Sequence, residues 1–283
     1  MGFDTRLPGW QAGDSVYLYM MTVIFILAAL LALYALWERL TGNTLHSLYV
    51  GKSKIEEKGT AIPFEGNVFM NYWVLANAKS TGRQSMETAT NLLAAFLMKW
   101  IQEGRIEVVP GAKLRIGPEG SFEDSTEADL YKMFVDAGGE YHLLDSNSFA
   151  AWAKSHFNSL VPYPDRALKH GGDLLYAQGY LDKDKFPFPE KYPQMSQVIE
   201  LENFLKDIAQ SGLTPERPWE DYLVTGVLLG CSEQMRSQIS IQLPVELSAG
   251  LDAVVRIATG YKEAVKREGL SNWDQYMYTS SND

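Results

Sequence analysis

The chain has 283 residues and a formal net charge of −10, with 46% apolar residues. The apolar content excludes a disordered chain, and the acidic balance argues against nucleic acid as partner, because phosphate binding calls for clustered Lys and Arg. The single cysteine, Cys231, excludes an intrachain disulfide and agrees with a reducing cytoplasmic location.

The first element in the chain is an apolar run from Val16 to Trp37, without charge, Pro or Gly. It corresponds to roughly 33 Å of helix at about 1.5 Å per residue, against a hydrocarbon core of about 30 Å. A buried core helix would need protein on every side. A cleaved signal peptide would have a basic start and a shorter apolar region, whereas this start holds Asp4, Asp14 and only Arg6. The run therefore predicts an uncleaved transmembrane helix over 15–37, with Tyr17, Tyr19, Tyr34, Trp37 and Arg39 as membrane-interface anchors. Arg39, Lys52, Lys54 and Lys58 follow it. The positive-inside rule then places residues 1–14 outside and the bulk in the cytoplasm, as a single-pass protein of the inner membrane.

Residues 38–63 read as a polar connector. Residues 64–123 carry a first unit. Val68 to Asn77 has helical spacing, and Met86 to Glu103 follows with Leu92, Leu93, Phe96, Leu97, Trp100 and Ile101 on one face. Gly104 stops that helix. Ile106, Val108, Leu114 and Ile116 alternate around Pro110–Gly111, which predicts a β-hairpin. Two helices and a hairpin outline a winged-helix-like module.

Residues 124–181 repeat the outline. Asp124-Ser125-Thr126-Glu127 supplies several cap candidates, with Ser125–Asp129 or Asp124–Glu127 as a capping box, Gly138–Gly139 end the first helix, Tyr141 to Leu144 is a candidate edge strand, and Asp145 or Ser146 starts a second helix through Leu160. Pro164 opens a further helix, Asp165 to Gln178, which Gly171–Gly172 weaken. Residues 182–193, with three prolines, read as a linker. Residues 194–283 predict a helical unit with a polar, aromatic tail. The expected fold is thus mainly α with small β-hairpins: one N-terminal transmembrane helix, tandem winged-helix-like modules and a C-terminal helical unit.

Four stretches carry a family resemblance: ATNLLAAFLMKWIQEGRIEVV, EADLYKMFVDAGGEYHLLD, RALKHGGDLLYAQGYLDKDKF, and the segment from Glu200 to Ile239 with Phe204, Leu205, Trp219, Glu220, Tyr222, Leu223, Leu229 and Gly230. Over about residues 20–240 the chain resembles a family of predicted bacterial membrane proteins often called YciQ-like. Members of that family carry an exported β-domain before the membrane helix, and often further membrane helices where this chain has DKDKFPFPEKYP. The resemblance implies the cytoplasmic half of such a protein. It implies a fold and a membrane setting but no reaction and no catalytic residues.

No phosphate-binding glycine loop, nucleophile elbow, HExxH or CxxC occurs. His142, His156 and His170 match no ligand spacing, and Cys231 has no basic partner in sequence. No catalytic residue, cofactor, metal or small-molecule ligand is expected. The would-be recognition helices are acidic or balanced, and only the wing, with Arg105, Lys113 and Arg115 against Glu107, is basic. The expected function is a membrane-anchored, non-enzymatic protein-interaction or assembly subunit. Its partners would be the lipid bilayer and other protein subunits, with Trp219, Tyr222, Trp273, Tyr276 and Tyr278 as candidate partner-binding residues. The alternative is a membrane-tethered, DNA-binding transcription regulator.

Overall fold

The computed structural model describes residues 19–30, 33, 45, 54–79, 86–118 and 120–267. The chain divides into two units, Met1–Thr44 and Leu45–Asp283. In the first unit the described helix covers 19–30, about 18 Å at 1.5 Å per residue. Among the described residues no helix is long and apolar enough to cross a membrane. This corrects the expectation of a transmembrane helix over 15–37, and with it the single-pass, inner-membrane placement. An uncharged apolar run is a necessary condition for a span, but crossing requires about 20 continuous helical residues. Of the expected interface anchors only Tyr19 is described, and it is exposed. Tyr17, Tyr34, Trp37 and Arg39 lie outside the described residues.

The second unit is built around two helices that are apolar nearly all round. Helix α1 (Val68–Lys79) buries Val68, Phe69, Met70, Tyr72, Trp73, Val74 and Leu75, and α2 (Met86–Gln102) buries Leu92, Leu93, Phe96, Leu97, Met98 and Trp100. Helices without a polar face belong in the interior. Gly104, at φ +70, ends α2 in the left-handed conformation that glycine adopts without strain.

Strands β1 (Ile106–Val109) and β2 (Lys113–Ile116) form the expected hairpin, in the register Ile106↔Ile116 and Val108↔Leu114. Asp124 caps α3 (Ser125–Ala137) by accepting from the amides of Thr126 and Glu127 at 2.8 and 3.0 Å. Then β3 (Leu143–Leu144) pairs with β2, Leu114 opposite Leu144. The sheet order is β1-β2-β3. A strand assigned to the second module therefore completes the sheet of the first.

Asp145 and Ser148 close a capping box on α4 (Ser146–Ser155). A break at His156 leads into α5 (Phe157–Leu160), then α6 (Tyr163–Ala177). The expected linker folds back on α6: Leu181 bridges Pro187, and the amide of Phe188 donates to the Tyr180 carbonyl at 3.1 Å. Among the described residues five α-helices follow: α7 (Tyr192–Lys206), α8 (Ile208–Ser211), α9 (Trp219–Leu228), α10 (Ser232–Ile239) and α11 (Val245–Arg267).

These late helices do not stand apart. Helices α9 and α11 pack on α2, α11 also packs on α4, and α1 packs on α6, α7 and α9. One hydrophobic core runs from Leu45 to Tyr261. The expected tandem modules with a separate C-terminal helical unit are corrected to one mostly helical unit with a small three-stranded sheet. The reason lies in α2, which buries Leu92, Leu93, Phe96, Leu97, Met98 and Trp100 and is packed by α1, α9 and α11, so most of its surface is taken up by its own chain.

The connector also differs from its expectation. Residues 54–62 lack regular secondary structure, yet they are bound along α7 and α9. The Asn203 carboxamide donates to the carbonyls of Ile55 and Glu57 at 3.0 and 3.2 Å, and the Gly59 amide donates to the Glu200 carbonyl at 3.1 Å. Lys58 pairs with Asp207 at 2.6 Å.

Candidate binding cleft

Where this segment turns into α1, three consecutive residues are left-handed: Phe64 (φ 50, ψ 35), Glu65 (φ 54, ψ 26) and Gly66 (φ 81). For a phenylalanine and a glutamate this backbone is strained, and such strain gathers at functional sites. The turn forms one wall of a cleft of about 540 Å³, with the start of α1, Lys99 of α2, Asp124 and Glu127 at the head of α3, and Tyr180. The Phe64 ring meets Tyr180 edge-on at 5.2 Å.

Three charged groups inside the cleft, Lys99, Asp124 and Glu127, are paired. Glu127 accepts from the Trp100 indole Nε1 at 2.8 Å and pairs with Lys99, which also contacts Glu103 at 3.1 Å. Asp124, besides capping α3, pairs with His170 of α6. The His170 ring stands perpendicular to Phe69 at 4.7 Å. Behind them Tyr163 donates to the Thr126 carbonyl at 3.1 Å, and burial raises its phenol well above the usual tyrosine range. Glu65 is exposed at the rim.

Tyr180 of the cleft accepts from the Phe188 amide at 3.1 Å, in a stretch of chain that carries further aromatic side chains. Tyr176, Phe186 and Phe188 are 49%, 67% and 38% exposed. Lys185 holds the turn beneath them, donating to the Gly172 carbonyl at 3.1 Å and pairing with Asp173 at 2.6 Å, with its ammonium 4.9 Å from the Tyr176 ring.

The residues singled out from the sequence are dispersed. Tyr222 is corrected as a partner-binding residue: it is fully buried, donates to the Thr60 carbonyl at 2.7 Å and accepts from the Glu216 amide at 3.1 Å. Trp219 is half-buried, stacked parallel to Phe204 at 6.1 Å, and donates to Gln242 at 2.8 Å. Trp273, Tyr276 and Tyr278 lie outside the described residues. His156 stacks on Trp152 at 4.6 Å, apart from the cleft that His170 borders. Cys231 is buried, and burial pushes its thiol up to about 12. Among the described residues no three His, Cys, Asp or Glu side chains stand close enough to hold a metal.

The hairpin cations are also engaged. Arg115 pairs with Glu107 at 2.7 Å, Arg105 with Glu103 at 2.9 Å and Lys113 with Asp145 at 3.6 Å. Sequence reading missed Lys99, Glu127 and the Asp124–His170 pair, because each joins residues far apart in the chain. The Pro63–Gly66 turn did leave a signal, a proline and a glycine bracketing an aromatic.

No protein-family model matches the chain, and neither a curated protein nor a solved structure matches it.

Proposed function

We propose that the protein is a non-enzymatic protein-interaction or assembly subunit, and that it engages its partner through the cleft beside Phe64–Gly66 and the aromatic border around Tyr180. One observation carries this reading: exposed Tyr176, Phe186 and Phe188 flank in the chain Tyr180, which lines a cleft whose interior charges are already paired. Catalysis asks for a group held ready to exchange a proton or attack. Here Lys99, Asp124, Glu127 and His170 brace α2, α3 and α6 against one another, which gives a preformed wall suited to recognition. Aromatic side chains at the rim are the residue type that dominates protein interfaces.

The test is site-specific photo-cross-linking in the source cells. A benzophenone amino acid replaces Tyr180, Phe186 or, as a control, the fully exposed Ile241. The first two positions are expected to cross-link one common partner, and the control to cross-link none of it. Equal labelling at all three positions, or none at any, overturns the proposal.

A further inference from the structure

The segment 54–63 is read by the rest of the molecule as a bound peptide is read. Its main chain carries the contacts: Asn203 donates to the Ile55 and Glu57 carbonyls, Tyr222 to the Thr60 carbonyl, and Asn71 to the Pro63 carbonyl at 3.1 Å, while the Gly59 amide donates to Glu200. Two polar side chains add register. Lys58 pairs with Asp207 at 2.6 Å, and Thr60 donates to Glu216 at 3.1 Å. Gly59 suits the close approach, since a Cβ there would stand 3.0 Å from the Glu200 carboxylate and 3.2 Å from its Cβ, so that side chain would have to give way. Main-chain bonds for affinity with a few side chains for register is how grooves hold extended segments. Nothing in this set of bonds requires the segment to belong to the same chain.

The link to the body of the same chain is the strained element. Phe64, Glu65 and Gly66 all sit at positive φ, at 50, 54 and 81, and this turn joins α1 to the segment 54–63 where it lies along its own α7 and α9. Extending the turn relieves the two non-glycine residues and carries the segment away from its own groove. Short strained hinges of this kind favour exchange of an identical element between copies.

We propose that the segment 54–63 exchanges between two copies of this chain, forming a homodimer in which each groove on α7 and α9 is filled by the other copy's strap. Every bond named above is remade in the exchanged form, so the balance is set by the hinge and by protein concentration. The hinge is also one wall of the cleft proposed above, so exchange would remodel that wall, but the disulfide between positions 58 and 207 reads exchange whether or not a partner binds there.

The experiment mixes two full-length variants carrying tags of different size, Lys58→Cys and Asp207→Cys, each with one added cysteine and the buried Cys231 retained. After incubation at high concentration and mild oxidation, a non-reducing gel reads the mixed disulfide, which only a strap bound in trans produces. A mixed band that grows with concentration is expected. Glu65→Gly, which removes strain from the closed hinge, is expected to reduce it about tenfold. Gly66→Val, which adds strain there, is expected to increase it. The doubly substituted chain, Lys58→Cys with Asp207→Cys, checks that the pair can bond at all. If that chain closes on itself while the mixture gives no mixed band at any concentration, the proposal fails. A band indifferent to Glu65→Gly also overturns it, and circular dichroism of that variant confirms its fold.

Discussion

A Cβ placed on Gly171 would lie 2.2 Å from the backbone carbonyl oxygen of Phe69. The contact is between main chains, so no side-chain rotation relieves it. Helices α1 and α6 cross at this point, and the crossing is set by the absence of a side chain. Gly171→Ala is therefore expected to lose about 2–3 kcal/mol, although alanine alone would favour the helix by about 1 kcal/mol. Gly172→Ala meets the Trp73 indole at 2.9 Å instead, a side chain that can shift, and is expected to lose less. Urea unfolding of both variants checks the order. A Gly171→Ala variant as stable as the natural protein would mean that α1 and α6 are not in this contact.

The same glycine pair illustrates what the sequence could convey. Within Asp165 to Gln178 it registers only as a defect in a helix, because its partner Phe69 is remote in the chain. Signals that act locally were legible: a cap within Asp124–Glu127 and another at Asp145 or Ser146, Gly104 as a stop, Pro110–Gly111 as the hairpin turn. Pairings across the chain were not. Nothing near Leu143–Leu144 announces that it completes the sheet begun at Ile106. Nothing in the polar string at 54–62 announces that Asn203, Asp207 and Tyr222 wait for it. The cleft was illegible for the same reason, since Lys99–Glu127 and Asp124–His170 are long-range pairs. The aromatic border was missed because three prolines in 182–193 suggested a linker, whereas they shape a turn that returns Phe188 to Tyr180.

Glu202 poses a second question of stability. Its side chain is fully buried, with Lys79 at 3.0 Å and Lys206 at 2.6 Å. Those lysines are 24% and 45% exposed at their side chains, so they can return to water when the carboxylate is removed, but the carboxylate cannot do so when they are removed. The double substitution Lys79→Met with Lys206→Met is therefore expected to destabilise by about 3–5 kcal/mol, and Glu202→Gln by about 1–2 kcal/mol. Thermal unfolding at neutral pH measures both. The reverse order would mean that the carboxylate reaches solvent.

Cys231 gives a reporter of global opening. Its thiol is buried and, pushed up to about 12 chiefly by burial, is almost wholly protonated at neutral pH. The thiolate is the reactive form. A disulfide reagent is expected to leave the native protein unmodified over hours and to label it at once in urea. In moderate denaturant the labelling rate should track the unfolded fraction. Rapid native labelling would place the thiol at the surface and contradict the packing of α10 against α7.

Asp165 and Asp145 predict opposite responses to pH. Burial raises the Asp165 carboxyl above its ordinary value, whereas the Ser148 amide leads the hydrogen bonds that lower Asp145. For Asp165 the unfolded chain ionises first as pH rises. Its favourable contribution is complete below the ordinary carboxylate value, about 3.9, and is lost as pH climbs through the folded value. Asp165→Asn should thus stabilise the protein at neutral pH, by up to about 1 kcal/mol, and give no gain near pH 3. For Asp145 the contribution is present above that ordinary value and is lost as pH falls through the lower folded one. Asp145→Ala should cost about 1 kcal/mol at neutral pH as the helix cap is lost, with the deficit narrowing in acid. Urea titrations of the two variants across pH 3 to 7 should therefore diverge in sign at neutral pH and converge toward the natural protein in acid, and curves parallel to it throughout would show that neither carboxyl senses its surroundings in the fold.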